Sequence, residues 1–236
     1  MNVLAIDTST YVLGVSVIKE GQPVGEKMTN IKKNHALRLM PAVEQLLRDV
    51  DIKPADLDRI VVSHGPGSYT GVRIAVTTAK TLAWSLNIPV VGVSSLEALA
   101  QNGRYFQGLI APFIDARRGQ VFTGLYQGGT GSVENVIEDG LTDHRAWLEK
   151  LKSYQKPVLF LGNEWDKHVE VIEEIMGEQA VLAKPADRLL KPAQLAELGI
   201  EKTPLENVHA LTPQYLRLAE AEAKWMEQNG REEEKR

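Results

Sequence analysis

The stretch His64-Gly65-Pro66-Gly67-Ser68-Tyr69-Thr70-Gly71-Val72-Arg73 constrains this chain most. An apolar run, Ile60-Val61-Val62, enters it, and a long segment of small residues leaves it. Glycines and a proline packed this closely read as a shaped turn between a buried strand and a helix N-terminus. Gly65 and Gly67 permit close approaches that a Cβ forbids, Pro66 stiffens the turn, and Ser68 or Thr70 can cap the helix. Two readings stay open: a cradle of backbone N–H groups for a phosphate, or a tight connector.

The helix launched here is expected over 70–86, with Arg73 and Lys80 as its only charges. Gly71, Ala75, Ala79 and Ala83 recur every four residues as a ridge of small side chains. A helix apolar nearly all round is buried on more than one side, so the ridge predicts close packing on another helix, belonging to the chain's own core or to a partner.

With 236 residues, 43% of them hydrophobic, the chain can bury one large core or two modest ones. It contains no cysteine, which removes disulfides, thiolate metal sites and thiol nucleophiles. The first residues, Met1-Asn2-Val3-Leu4-Ala5-Ile6-Asp7, lack the basic and apolar regions of a signal peptide, and no apolar run reaches membrane-spanning length. A cytoplasmic soluble protein is expected. A net charge of −4 argues against unaided nucleic-acid binding.

Residues 3–6 read as a strand ending in the polar turn Asp7-Thr8-Ser9-Thr10; 12–18 and 24–28 continue as antiparallel strands. A helix over 35–50 follows, with Asn34 as its cap and Leu39, Val43, Leu46, Leu47 and Val50 as its core stripe. Leu37 and Met40 widen that stripe, and Pro41 lies in its first turns. Residues 60–63 form the strand into the glycine turn. Residues 88–93, short and β-branched, read as a central parallel strand, and Ser94 or Ser95 caps the next helix. Beyond a boundary at 103–107, strands at 109–114, 120–126 and 133–137, a helix at 143–151, a strand at 158–161, a helix at 165–176, a strand at 180–183 and a helix at 192–200 repeat the first half's element order without any visible sequence repeat. A last helix is expected over 214–227.

Candidate chemistry is sparse. Asp7-Thr8-Ser9 can present hydroxyl and N–H groups to a phosphate, with the carboxylate holding a metal or water; an Asx turn explains it equally. Gly65-x-Gly67-x-x-x-Gly71 resembles a dinucleotide fingerprint, but Pro66 sits where a pyrophosphate must approach and Gly92-Val93-Ser94 supplies no ribose-binding acid. No phosphate-binding Lys-Ser or Lys-Thr follows the glycines, and there is no Gly-x-Ser-x-Gly elbow. His35, His64, His144, His168 and His209 never pair at helical spacing, so each reads as a surface or capping residue. Asp115 beside Arg117 and Arg118 is a candidate acid or part of a charged turn.

Together, Asp7-Thr8-Ser9, the run from Gly65 to Arg73, and Asp115-Ala116-Arg117 resemble the TsaB (YeaZ) family, bacterial partners of the TsaD subunit in making threonylcarbamoyladenosine on tRNA. The resemblance covers nearly the whole chain. It implies an α/β fold of the actin-like, Hsp70-like ATPase type: a first lobe over 1–103 carrying the dimerisation helices, a second over 104–212, and 213–236 as a helix returning to the first lobe plus a charged tail. In TsaD a helix carries a His-x-x-x-His metal pair. Aligning Val93 to Leu99 with it puts Ser95 and Leu99 at those places, and neither replaces an imidazole. The resemblance is thus to the non-catalytic member, and the older glycoprotease label carries little weight.

The resemblance further implies pairing with a TsaD-like transferase through the helices at 35–50 and 70–86, a homodimer through the same surface, a TsaE-like ATPase in the complex, tRNA contact only through the complex, and no membrane. Its interface residues would be Leu37, Met40, Val43, Leu47, Ala75, Ala79 and Ala83, with Leu37, Met40, Ala75 and Ala79 as exposed anchors. Asp7, Thr8, Ser9, Gly65 and Gly67 are the candidate nucleotide or phosphate contacts; Pro66, Arg73, Asp115 and Arg117 belong to the structural motif. The chain alone is expected to hold no cofactor, with ATP or ADP at the complex interface. The alternative is a free-standing, kinase-like ATP-dependent enzyme using Asp7.

Overall fold

Val3, Leu4, Ala5 and Ile6 are buried without exception, which requires β1 (Asn2–Asp7) to be covered on both faces. The computed structural model describes residues 1–217 and shows what covers them. β1, β2 (Val12–Lys19) and β3 (Gln22–Asn30) form an antiparallel meander. β4 (Arg59–Ser63) and β5 (Val90–Val93) join in parallel, giving the order β3-β2-β1-β4-β5. A second sheet contains β6 (Leu109–Asp115), β7 (Gln120–Gln127), β8 (Glu134–Asp143), β9 (Val158–Leu161) and β10 (Ala180–Leu182). Its order, β10-β9-β6-β7-β8, is the same topology strand for strand.

Strand alternation sends Leu4 and Ile6 into one core and Val3 and Ala5 into another. The first core is closed by α1 (His35–Asp49) and α2 (Tyr69–Leu86), the second by α6 (Pro192–Glu201). In the second sheet, α4 (His144–Lys152) and α5 (Val169–Met176) cover the face of Leu109, Ala111 and Phe113. The other face, with Ile110 and Tyr126, receives α3 (Ser95–Ala100). Each half therefore lends its last helix to the other half's sheet. Across the expected division at 103/104, the first sheet is covered by α6 and the second by α3.

The caps explain where helices begin. Asn34 accepts from the N–H of Ala36 and Ser68 from that of Gly71, so α2 starts at Tyr69, one residue before the expected position. The small ridge of α2 corrects another expectation. Ala75, Ala79 and Ala83 lie in one core with Leu4, Ile6, Ile60 and Val62, so the ridge brings the helix close to its own sheet, not to another helix. β5 is an edge strand rather than a central one; it is buried because the chain after α6 runs along it, with the Leu205 N–H donating to the Val90 carbonyl. The expected helix over 165–176 is broken at His168, where φ is −122°. β8 continues to Asp143, beyond the expected strand at 133–137. Residues 214–217 are not helical, and the rest of the helix expected over 214–227 lies outside the described residues.

Candidate functional site

A cleft of about 1230 Å³ separates the two sheets; the turn after β1, the glycine stretch and the β6–β7 hairpin all line it. On the first wall, Asp7, Thr8 and Ser9 are fully buried. Asp7 Oδ1 accepts from the Ser9 N–H at 2.9 Å and from the Ser63 hydroxyl, while Oδ2 is buried without a partner. Burial pushes the Asp7 carboxyl upward, against the hydrogen bonds that favour its charge. The glycines fit this turn tightly: a Cβ on Gly67 would overlap the Ser9 carbonyl oxygen, and one on Gly71 would overlap that of Thr8. The Ser68 N–H donates to the Ser9 carbonyl at 2.7 Å and the Thr8 hydroxyl to the Gly71 carbonyl at 2.7 Å. Gly65, at φ +114°, passes the Gln214 backbone, and Pro66 follows through a cis peptide bond. The sequence-predicted groups thus come together, and the glycines' close approaches are to the chain's own backbone.

The opposite wall is built on Asp115. Its Oδ1 accepts from the Arg117 N–H at 3.1 Å, and its Oδ2 pairs with Lys167 at 2.7 Å. Beyond it, His168 Nε2 lies 3.4 Å from Oδ1, and His168 Nδ1 meets His144 Nδ1 at 2.9 Å. Burial raises the Asp115 pKa, but Lys167 and the Arg117 N–H outweigh it and leave the carboxyl below its ordinary value. Burial lowers both histidines, and His168 adds to the shift that takes His144 to about 4. A proton on His168 Nε2, the nitrogen that faces Asp115, would leave His168 Nδ1 to accept from His144 Nδ1–H. The expectation of five surface or capping histidines is corrected here. His144 and His168, 24 residues apart, form a buried pair because the strand–helix repeat brings the starts of α4 and α5 together. No helical spacing could reveal it.

The outer face of α1 and α2 completes the survey. Leu37 is 74% exposed, Met40 44% and Trp84 67%. The other expected interface residues, Val43, Leu47, Ala75, Ala79 and Ala83, are buried in the chain's own core, so they are corrected to core positions. Lys80 is drawn to the His209 and Leu211 carbonyls. Arg73 stacks on Tyr69 and donates to the Tyr215 hydroxyl at 2.7 Å. Trp84, which sequence reading did not single out as an anchor, is the largest apolar group on this face. Ser95 and Leu99 are buried on α3 and line the cleft.

Comparisons with known proteins agree with this geometry. A family model described as TsaD, tRNA N6-adenosine threonylcarbamoyltransferase, matches residues 25–225. The chain is 55% identical to the tRNA threonylcarbamoyladenosine biosynthesis protein TsaB of Bacillus subtilis, over 96% of this chain and 99% of that one. Among solved structures, it resembles an uncharacterised Pseudomonas aeruginosa protein described as similar to the peptidase YeaZ, at TM-score 0.77 and 30% identity, covering 92% of this chain and 99% of that one. The hexokinase of the ROK type from Thermus thermophilus, at TM-score 0.50 and 12% identity over 85% of this chain and all of that one, shares the fold alone. Two mixed sheets of identical strand order, a turn-and-glycine wall facing a hairpin wall, and 55% identity to TsaB over nearly its full length place this chain, with its actin-like ATPase fold, in the TsaB (YeaZ) family of tRNA threonylcarbamoyladenosine biosynthesis proteins.

Proposed function

We propose that this chain is a non-catalytic subunit that pairs with a TsaD-like transferase through α1 and α2, supporting threonylcarbamoylation of a tRNA adenosine. The observation that carries this reading is the outer face of the two helices. An 18-residue helix whose exposed residues are Tyr69, Thr70, Arg73, Thr77, Thr81, Trp84 and Ser85 presents a single charge among them, and Arg73 is already engaged by two tyrosines. Beside it, α1 exposes Leu37, Met40 and Pro41, with the exposed Glu44–Arg48 ion pair further along the helix. Large apolar groups beside a helix face with one engaged charge suit a protein interface better than a solvated face. The same face would serve a homodimer when the partner is missing. Ser95 and Leu99 in place of the paired imidazoles support the assignment of the chemistry to the partner. Asp7, sealed within the first turn, is poorly placed to organise a metal for the kinase-like alternative. ATP or ADP would sit at the subunit junction, and a TsaE-like ATPase would act on the assembled pair.

The test is a light-scattering mass of the chain, alone and mixed with the TsaD-like protein of the same organism. A one-to-one complex is expected, and L37E with W84E should weaken it at least about 30-fold, as loss of an apolar hot spot does, with the monomer's melting temperature unchanged. Independent elution of the two proteins, or a complex indifferent to both substitutions, would overturn the reading.

A further inference from the structure

After α6 the chain passes from the first lobe to the second. Leu211 is buried in the core of the first sheet with Leu4, Ile60 and Val90. Five residues on, Leu216 packs with Ala116 and Phe122 at the β6–β7 hairpin of the second lobe. Arg217 donates there to the Ala116 carbonyl at 2.7 Å and to Gln120 Oε1 at 3.3 Å. Residues 211–217 therefore have an anchor in each lobe and cross the cleft between them, Gln214 to Arg217 lining it. At the opposite edge of the first sheet, where β3 ends, Asn30 and Asn163 exchange side-chain amide hydrogen bonds of 3.0 and 3.1 Å between the lobes. The cleft is tied on both sides.

The glycine stretch is shaped to receive this crossing. The His64 carbonyl accepts from the Gln214 N–H at 2.7 Å. A Cβ on Gly65 would lie 2.7 Å from the Gln214 carbonyl oxygen, and one on Gly92 would lie 2.8 Å from the Leu211 side chain, so both positions are cleared for the crossing. Two cations of α2 grip it. Lys80 reaches the His209 and Leu211 carbonyls at 3.0 and 2.9 Å, and Arg73 Nε donates to the Tyr215 hydroxyl at 2.7 Å. The Arg73 guanidinium lies over the Tyr69 ring, whose centroid is 5.1 Å from that of Tyr215. This last grip is exposed, on the helix face to which the partner is assigned above.

We infer that residues 211–217 are a strap that fixes the separation of the lobes, and that Arg73 is the point at which a partner loosens it. A carboxylate arriving at the outer face of α2 would take the guanidinium from Tyr215, because paired charge-assisted hydrogen bonds to a carboxylate outmatch one bond to a neutral phenol. The strap then loses its hold on the first lobe midway between its two anchors. His64, Gly65 and Arg73, which the pairing reading leaves without a task, become the seat and the catch of this strap. The inference rests on pairing through α1 and α2.

Deuterium exchange at the Gln214 amide, read by NMR on the full chain, reports on the strap directly. Y215F removes one hydroxyl and should speed that exchange about tenfold, the loss of a hydrogen bond to a charged group. L216A/R217A, which removes the second-lobe anchor, should speed it at least as much. In the free chain it should also lengthen and broaden the distance between spin labels at T77C and E138C, exposed positions of the two lobes in a chain that has no cysteine of its own. Adding the TsaD-like protein should accelerate Gln214 exchange, although cover by a partner ordinarily slows an amide, and R73Q should give the same acceleration with no partner present. Unchanged exchange in Y215F, or an unchanged label distance in L216A/R217A, would overturn the strap; if the double variant does not fold, Y215F and R73Q decide. Slowed or unchanged Gln214 exchange in the complex would overturn release by the partner. Failure of the two proteins to pair would count against the proposed function instead, and the free-chain measurements would still decide the strap.

Discussion

His144 illustrates what one residue adds when its environment is known. In the fold it is neutral, held near pKa 4 by burial and by its neighbour His168; in the unfolded chain it titrates near 6.5. Between those values the unfolded state binds the extra proton, so stability rises with pH from about 4 to 6.5 and is flat above, by about 3 kcal/mol for this group. His168 is lowered too and acts in the same direction. Asp115 acts in the same direction at lower pH: its lowered carboxyl contributes stability above its unfolded value and loses that contribution as the pH falls into more acid solution. H144N keeps a donor for His168 and removes the titration. The acid-side loss of stability, measured by urea unfolding at successive pH values, should therefore flatten in the variant; parallel pH curves for the two proteins would refute the assignment. The sequence announces neither histidine, since the pair is made by tertiary placement. Asp7, Asp115 and Arg117 were legible as motif residues, but whether Asp7 faces a ligand or the interior depends on the Ser63 hydroxyl and the Ser9 N–H around it.

At the scale of elements, α2 shows where periodicity informs and where it stops. Its boundaries, its cap at Ser68 and its small ridge could be read from the chain, because capping and spacing are local. Its orientation could not, since alanine and threonine faces differ too little in polarity to say which one meets the sheet. The structure turns Ala75, Ala79 and Ala83 inward and leaves Trp84 outside. Two substitutions separate the faces. A79E puts a carboxylate into a position with no solvent exposure and should unfold the chain, whereas L37E, on a residue 74% exposed, should leave the melting temperature unchanged. The glycine stretch gives a sharper case. G71A drives a methyl group into the Thr8 carbonyl, with backbone on both sides and nothing flexible to yield. A loss of roughly 3 kcal/mol or more is expected, in the range of severe backbone clashes, measurable by thermal or urea unfolding. A near-neutral result would mean that the turn after β1 can retreat from α2, and would reopen the space there to a phosphate.

Across the whole molecule, the exchange of α3 and α6 decides how the lobes behave. α6 lies on the first sheet so closely that a Cβ on Gly199 would overlap Val61, and Gly14 meets Pro192. α3 is fastened to the second sheet by Leu99 and Ala100 in its core, and by Asp139 of β8, which accepts from the Ser94 hydroxyl and from Tyr126. The element order in the sequence shows the duplication, since each half reads strand-strand-strand-helix-strand-helix-strand-helix; which sheet receives each terminal helix is a long-range choice that local patterning does not encode. Neither half, cut at 103/104, keeps both layers over its sheet. The fragment 1–103 loses the helix over Val3, Ala5, Val61, Val91 and Val93, five apolar side chains worth about 1.5–3 kcal/mol each when fully buried, Ala5 less. That loss rivals the 5–15 kcal/mol by which whole domains are stable. The intact chain should therefore unfold in one calorimetric transition with matching calorimetric and van't Hoff enthalpies, and fragments 1–103 and 104–236 should each show a broad, non-cooperative melt. If either fragment melts cooperatively on its own, or the intact chain shows two resolved transitions, the exchanged helices do not couple the lobes and each half must close its core by itself.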